Sequence, residues 1–221
     1  MGYTQSKQVS GLLLDYASRE HGVLSIICRV GQITGPVQLQ QGRWNDTEWF
    51  PSLIKTSMYL GKLPCSLGSV GRMDWIPVDF LAKVASEILL ASSSRTDHSS
   101  TVASGEEQAQ FVHLLNPHEA IWEDIIPHVQ RSLDKPLRVV PYEEWLSDLQ
   151  TSAERSHGDA NPAVKLVDFF EQNRHDLKPK FSTQNAQRMS QTLRSLQPVN
   201  GEWMHLWMEQ WGSSGARKAM L

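Results

Sequence analysis

The 221-residue sequence predicts an α/β fold, and three observations carry that reading. An amphipathic stretch near the start runs into a β-prone segment, Val23–Val30 (VLSIICRV). Further on, short β-prone runs at 72–78, 111–115 and 137–140 are each followed by a helical pattern. Three helical segments, 162–173, 183–196 and 201–211, then close the chain. Strands alternating with helices mark βαβ construction and parallel pairing.

Taken in order, Val9, Leu12, Leu13, Tyr16 and Ala17 recur at i, i+3, i+4, i+7 and i+8, one stripe of a helix. Gly22 reads as its C-terminal stop. Gly11 inside a helix costs about 1 kcal/mol relative to Ala, so close packing is expected there. The unbroken apolar run of Val23–Val30 predicts a strand buried on both faces. Gly31-Gln32-Ile33-Thr34-Gly35-Pro36 then leaves the strand's carboxyl end, the edge where open α/β sheets bind ligands. An ordinary glycine turn would leave the same pattern.

A Gln-rich loop carrying Arg43 and Trp44 leads to Asp46, read as the N-cap of a helix through Trp49, Phe50, Leu53 and Ile54 to Gly61. Pro51 is tolerable only near that helix's start. Asp79 is read as the N-cap of a helix with Phe80, Leu81, Val84, Ala85, Ile88 and Leu89 on one face. Residues 91–108 are Ser/Thr-rich and read as a flexible loop. Asn116-Pro117-His118-Glu119 resembles a capping box, after which Pro127 must kink the helix or move its start. Residues 152–161 form a second polar loop. Trp203, Met204, Trp207, Met208 and Trp211 are spaced for core or lid packing, and 212–221 read as a tail.

Composition removes several function classes. Hydrophobic residues make up 40% and charged residues 20%, the balance of an ordinary globular chain. A net charge of −3 and a pI near 6.2 leave no footprint for nucleic acid or an anionic membrane. The longest apolar runs are too short to span a bilayer, and no signal peptide opens the chain. Cys28 and Cys65 stand in no metal or redox spacing, so free thiols and a cytoplasmic location are expected. Among the eight histidines, His113 and His118 lack companion carboxylates at ligand spacing and no H-x-x-x-H pair occurs, so no metal is expected. Neither a G-x-S-x-G elbow nor a phosphate loop occurs.

One constellation carries chemistry. Tyr3 and Lys7 stand in Y-x-x-x-K spacing at the head of the first helix, one above the other on one face. A phenol's unperturbed pKa of about 10 makes it a poor acid–base group at neutral pH. A cation one turn away favours the phenolate, which suits proton relay to or from a carbonyl oxygen. A surface Tyr and Lys at a helix end would look the same.

GYTQSK, IICRVGQITGP, W-N-x-x-E-W-F-P and M-D-W-I-P-V-D-F-L-A, in that order, resemble the thioester reductase domains of the extended short-chain dehydrogenase/reductase family, of NAD-binding male-sterility type. More narrowly, the chain looks like the terminal reductase domain of fungal nonribosomal-peptide-synthetase-like and polyketide synthase enzymes, of which aminoadipate reductases carry relatives. It covers Gly2 to about Trp211, and F-V-H-L-L-N-P and W-x-x-x-x-P fit its substrate-binding part. The resemblance implies the C-terminal portion of a Rossmann-type reductase. Residues 1–90 would belong to the NADP-binding domain, 91–108 to the loop and 109–211 to a mainly helical substrate-binding part.

It implies NADPH as cofactor and reductive release of an acyl thioester from a carrier domain's phosphopantetheine arm, as aldehyde or alcohol. Tyr3 would be the proton donor, Lys7 would hold the nicotinamide ribose, and Val30, Gly31 and Gln32 would lie against the nicotinamide. Arg43, Trp44 and Trp49 are weaker candidates for the acyl or pantetheine channel, whereas Asp74 and Asp79 read as structural. The family's Gly-rich fingerprint, its 2′-phosphate-reading basic residue and its catalytic Ser or Thr precede the Tyr, and none is present here. The expectation is therefore a reductase lacking its N-terminal Rossmann strands, with partners in a carrier domain or the missing N-terminal half. Two alternatives share these features: a non-catalytic remnant that binds an acyl chain or carrier domain, and a sugar-nucleotide enzyme of the same extended family.

Overall fold

A computed structural model describes residues 2–39, 41–96, 109–154, 161–174 and 179–212. The chain begins with helix α1 (Gly2–His21), strand β1 (Ile26–Val30) and the short β2 (Ile33–Thr34). Helix α2 (Trp49–Leu60), β3 (Lys62–Pro64), β4 (Arg72–Met73), β5 (Ile76–Pro77) and α3 (Val78–Thr96) follow. Next come β6 (Gln110–Leu114), β7 (Ala120–Ile121), α4 (Trp122–Arg131), β8 (Arg138–Val140) and α5 (Tyr142–Glu154). A 3-10 turn at Pro162–Leu166 leads into α6 (Val167–Gln172), α7 (Gln184–Met189), α8 (Gln191–Arg194) and α9 (Gly201–Gln210). This is the α/β alternation that the sequence predicts.

The strands pair two by two among the described residues. β1–β6, β2–β5 and β3–β8 are parallel, while β4–β7 is antiparallel. Each parallel partner comes from far along the chain, so no hairpin turns are needed. In the longest pair, Ile26 stands opposite Gln110 and Val30 opposite Leu114.

The core is aromatic. Trp44 is stacked on Phe50 at 5.7 Å and meets Trp75, Trp207 and Trp211 edge-on or tilted at 5.7, 5.0 and 5.3 Å. Trp122 joins through Phe50, and its Nε1 donates to the Pro64 carbonyl (2.8 Å). The Trp/Met stripe of α9 is buried here, as its spacing predicts. Residues before 85 and after 200 thus share one core.

Several local expectations shift. The β1 strand is not buried on both faces: Cys28 is exposed and Val30 is 44% exposed, because β6 is β1's one partner among the described residues. The stripe of Val9, Leu12, Leu13 and Tyr16 faces solvent, and α1 buries Gly11 and Ser18 instead. Gly11 does pack closely, since a Cβ there would lie 2.8 Å from the Arg29 guanidinium. Gly22, at φ 64°, ends α1 as expected.

Asp46 is not the cap of α2. Asn45 builds a turn by accepting from the Thr47 N–H (3.1 Å), which moves the helix start to Trp49 and leaves Asp46 paired with Lys55 (2.8 Å). Pro51 falls in the first turn, and Gly61 at φ 69° stops the helix. Residues 116–119 do not open a helix either; α4 starts at Trp122, so the start has moved. Ala91–Thr96 are helical, continuing α3 past the expected boundary at residue 90. Residues 97–108, 155–160 and 213–221, read as loops and tail, lie outside the described residues.

Asp79 lies inside the first turn of α3 rather than capping it. Its Oδ2 accepts from the N–H groups of Val37 (3.0 Å), Gln38 (2.6 Å) and Leu39 (3.3 Å), and its Oδ1 from Phe80 (3.0 Å). A buried carboxylate at a helix N-terminus is favoured by the dipole, and here it gathers a loop that has no ladder of its own. Asp79→Ala should cost about 2–3 kcal/mol in urea unfolding, with Asp79→Asn losing less because one oxygen remains.

Arg72 grips Glu119 through two bonds, Nε to Oε2 (3.1 Å) and Nη2 to Oε1 (2.7 Å), and Lys180 adds a third contact (3.2 Å). The Arg72 bonds hold the Glu119 carboxyl below the usual range, against a smaller opposing effect of burial. A depressed folded pKa contributes stability above the unfolded value of about 4.3 and loses it as pH falls through the folded one. Thermal melts should therefore show Glu119→Gln destabilised at pH 7 and converging on the parent protein toward pH 3.

Candidate active site

The site is built where the N-terminal end of α1 meets the carboxyl end of β1. The chain reverses between them, so the first turns of α1 return alongside the last residues of β1. Arg29 fixes this register: its Nη1 donates to the Lys7 carbonyl (3.4 Å), and its guanidinium fills the space above Gly11. Arg29 went unnoticed in the sequence, where it reads as one charge inside a β-prone run.

Tyr3 and Lys7 come together as their spacing requires, with Lys7 Nζ lying 5.3 Å from the Tyr3 ring centroid. Both side chains are exposed, Tyr3 at 77%. A phenol and an ammonium on one accessible helix face can serve a carbonyl and a ribose approaching from outside the chain.

Val30, Gly31 and Gln32 follow Arg29 at the carboxyl end of β1. Gly31 donates its N–H to the Leu114 carbonyl (3.1 Å), and a Cβ there would lie 2.1 Å from Leu115 Cδ2. A side chain there would need Leu115 to move. Gly35 is held more tightly, since its Cβ would fall 2.8 Å from Trp44 Cβ and 2.9 Å from the Trp44 main-chain nitrogen. Gln32 is pinned on three sides: Trp49 Nε1 donates to its Oε1 (2.8 Å), and its Nε2 donates to Glu48 (3.0 Å) and the Ile33 carbonyl (2.8 Å). Glu48 was also missed in the sequence, because its role depends on a residue sixteen positions earlier.

The remaining three candidates lie close together but differ in exposure. Arg43 is exposed and reaches Asp46 (3.1 Å). Trp44 is 2% exposed, with its ring in the core. Trp49 is half-buried against Phe50, Trp75 and Phe169 while its indole N–H holds Gln32. Helix α9 fastens the loop that carries Arg43 and Trp44: Trp207 Nε1 donates to the Gly35 carbonyl (3.1 Å), and Gln210 Oε1 accepts from the Trp44 N–H (3.1 Å). Among the described residues, no three His, Cys, Asp or Glu side chains stand together as a metal site, and no helix is long and apolar enough to cross a membrane.

Comparison with known proteins bears on the family and the fold. Residues 1–85 match the NAD-binding family model described as Male sterility protein. A carboxylic acid reductase of Neurospora crassa is 36% identical over 95% of this chain, which spans 20% of that protein's length. Among solved structures, the terminal R domain of the myxalamid PKS-NRPS pathway superposes with a TM-score of 0.68 at 21% identity, over 95% of this chain and 48% of that one. A thiolation-reductase di-domain from an archaeal nonribosomal peptide synthetase superposes at 0.51 and 19%, over 84% and 35%. Residues 1–85 therefore belong to the NAD-binding male-sterility family, and the chain is similar to part of fungal carboxylic acid and adenylate-forming reductases and to the terminal reductase domains of polyketide and peptide synthases.

Proposed function

We propose that this chain is the Tyr–Lys-bearing part of an NADPH-dependent reductase that releases an acyl thioester from a carrier domain's phosphopantetheine arm as an aldehyde or alcohol. The observation that carries the reading is the pairing of Tyr3 with Lys7 at the carboxyl end of β1, within a segment of NAD-binding type. A parallel strand's carboxyl end is where such folds bind their cofactors.

The residues present fit one end of a dinucleotide. The exposed Lys7 ammonium offers donors to ribose hydroxyls, and the Gly31–Gln32 turn offers a wall for a flat ring. No G-x-G-x-x-G occurs in the 221 residues, so the pyrophosphate cradle belongs to another segment. When bound, the cofactor supplies the hydride. This chain supplies the proton: the Tyr3 hydroxyl is free to donate to a carbonyl oxygen that becomes negative as the carbon is reduced. Arg43, exposed on the fastened loop and paired with Asp46, offers a guanidinium to the phosphate of the arm, whereas Trp44 serves by holding that loop. The reductase relatives, a thiolation-reductase di-domain among them, support a carrier domain as the source of substrate.

Fluorescence titration with NADPH, on the chain alone and on the chain supplied with the N-terminal half of a reductase domain, tests the reading. Saturable binding should weaken about tenfold or more in a Tyr3→Phe, Lys7→Ala variant, and Tyr3→Phe alone should lower reduction of a model acyl thioester by roughly 10²–10⁴-fold. Equal binding by the parent and the double variant would remove Tyr3 and Lys7 from the site.

A further inference from the structure

Charge is not spread evenly along the chain. Between Leu177 and Gly201 the sequence carries Lys178, Lys180, Arg188 and Arg194 and no Asp or Glu, although the whole chain has a net charge of −3. Helices α7 and α8 bring two of these cations together: Arg188 and Arg194, with Gln184 and Gln187, line an open cleft of about 470 Å³. Both arginines are exposed, and among the described residues no carboxylate pairs with either. Elsewhere Arg19 is neutralised by Asp15, Arg43 by Asp46 and Arg138 by Glu144. The cleft is also built. Arg194 donates from Nε (3.3 Å) and Nη2 (3.1 Å) to the Gln187 carbonyl, which fixes the plane of its fork. Gln187 in turn donates from Nε2 to Thr183 Oγ1 (2.7 Å). Glu87 of α3 clamps the turn between the two helices, accepting from Ser190 Oγ (2.5 Å), Thr192 Oγ1 (2.6 Å) and the Thr192 N–H (3.1 Å). Burial alone would push the Glu87 carboxyl up, but these bonds bring it below the usual range. Its charge is thus spent on hydroxyls and main chain beside the arginines, and not on their guanidiniums.

We propose that the cleft between α7 and α8 binds a phosphate-bearing small molecule, gripped by Arg188 and Arg194 at a spacing that Glu87 sets. Two like charges held at one cleft repel each other, and a ligand with several oxyanions turns that repulsion into attraction. A guanidinium offers paired N–H donors that match two oxygens of a phosphate, and two such forks can share one tetrahedral group. The lining favours this ligand class, since Gln184, Gln187, Arg188 and Arg194 include no apolar side chain to receive an acyl chain. Arginines fixed before the ligand arrives lose less freedom on binding, which is what the Glu87 clamp and the Gln187 carbonyl provide. The cleft shares no residue with Tyr3 and Lys7, and the inference stands apart from the reductase reading.

The test is titration calorimetry of the full chain at low salt with inorganic pyrophosphate and, separately, with phosphopantetheine. Saturable binding should weaken about tenfold or more in an Arg188→Ala, Arg194→Ala variant whose circular dichroism matches the parent. Glu87→Gln, with its fold checked in the same way, separates a built site from a merely basic surface. It removes a negative charge, so attraction by net charge alone would strengthen binding. Loosening of the turn should instead weaken it, by about threefold or more. Tyr3→Phe, Lys7→Ala should leave pyrophosphate binding unchanged, whatever becomes of NADPH binding. Tighter binding of phosphopantetheine upholds the site and names a carrier's arm as the source of the phosphate. Equal or tighter binding of pyrophosphate upholds it and names a free phosphate. Folded chain that binds neither probe overturns the proposal, as does equal binding by the double arginine variant or tighter binding by Glu87→Gln.

Discussion

Burial of Trp44 is the constraint on which the rest of this molecule depends. Its ring can be dry only if the loop after β1, helix α2, the segment before α3 and the last helix all converge on it, and each sends a ring or a hydrogen bond there. Aromatic pairs of this geometry contribute about 0.5–1.5 kcal/mol each beyond their area, whereas exposed ion pairs such as Arg43–Asp46 contribute about 0–1. The cluster therefore outweighs the surface charges in deciding where α9 sits. It does so although the indole N–H groups of Trp44 and Trp211 are buried without an acceptor, a cost of about 1–3 kcal/mol apiece. Dense ring packing on several sides offsets that cost, which explains why these positions hold Trp although no partner satisfies the nitrogen.

Tethering differs between that centre and the start of the chain. The loop at residues 35–44 is tied by α9 on one side and by the Asp79 carboxylate on the other. By contrast, α1 is tied by a glycine contact, one long Arg29 bond and a buried serine. The candidate site lies across this gradient, with Gln32 on the rigid side and Tyr3 and Lys7 on the loosely held side. Proton and hydride transfer need reacting atoms held about 3–3.5 Å apart, and a helix held at so few points does not supply that.

The sequence disclosed elements more readily than their surroundings. Periodicity and β-propensity marked α1, β1, α2, α3, β6, β8 and α9 within a few residues, since those signals are local. The Trp/Met stripe of α9 was legible as core for the same reason. Burial was not legible: an apolar run such as IICRV reads as buried whether or not a neighbouring strand is present to bury it. Caps failed where a nearby residue competed, as Asn45 did with Asp46. At the site, Tyr3 and Lys7 were readable because their spacing is itself the signal. Arg29 and Glu48 were not, because each acts on a residue sixteen or more positions away.

Gln32 is where the rigid core and the candidate site meet, and its hydrogen-bond inventory limits what it can do. An indole N–H only donates, so the bond from Trp49 forces the amide oxygen toward Trp49 and turns the nitrogen toward Glu48 and the Ile33 carbonyl. Both amide hydrogens are thereby committed to the protein, and the main-chain oxygen already accepts from Ile76 (3.0 Å). One lone pair on Oε1 remains. Toward a nicotinamide ring the Gln32 side chain can act as an acceptor, which suits the amide N–H₂ of the carboxamide, and not as a donor to its oxygen. Reversing that role requires giving up the bond that fixes Trp49, and with it the packing of α2's first turn against Trp75 and Phe169. The aromatic core therefore sets the polarity of the Gln32 side chain as well as the position of the loop.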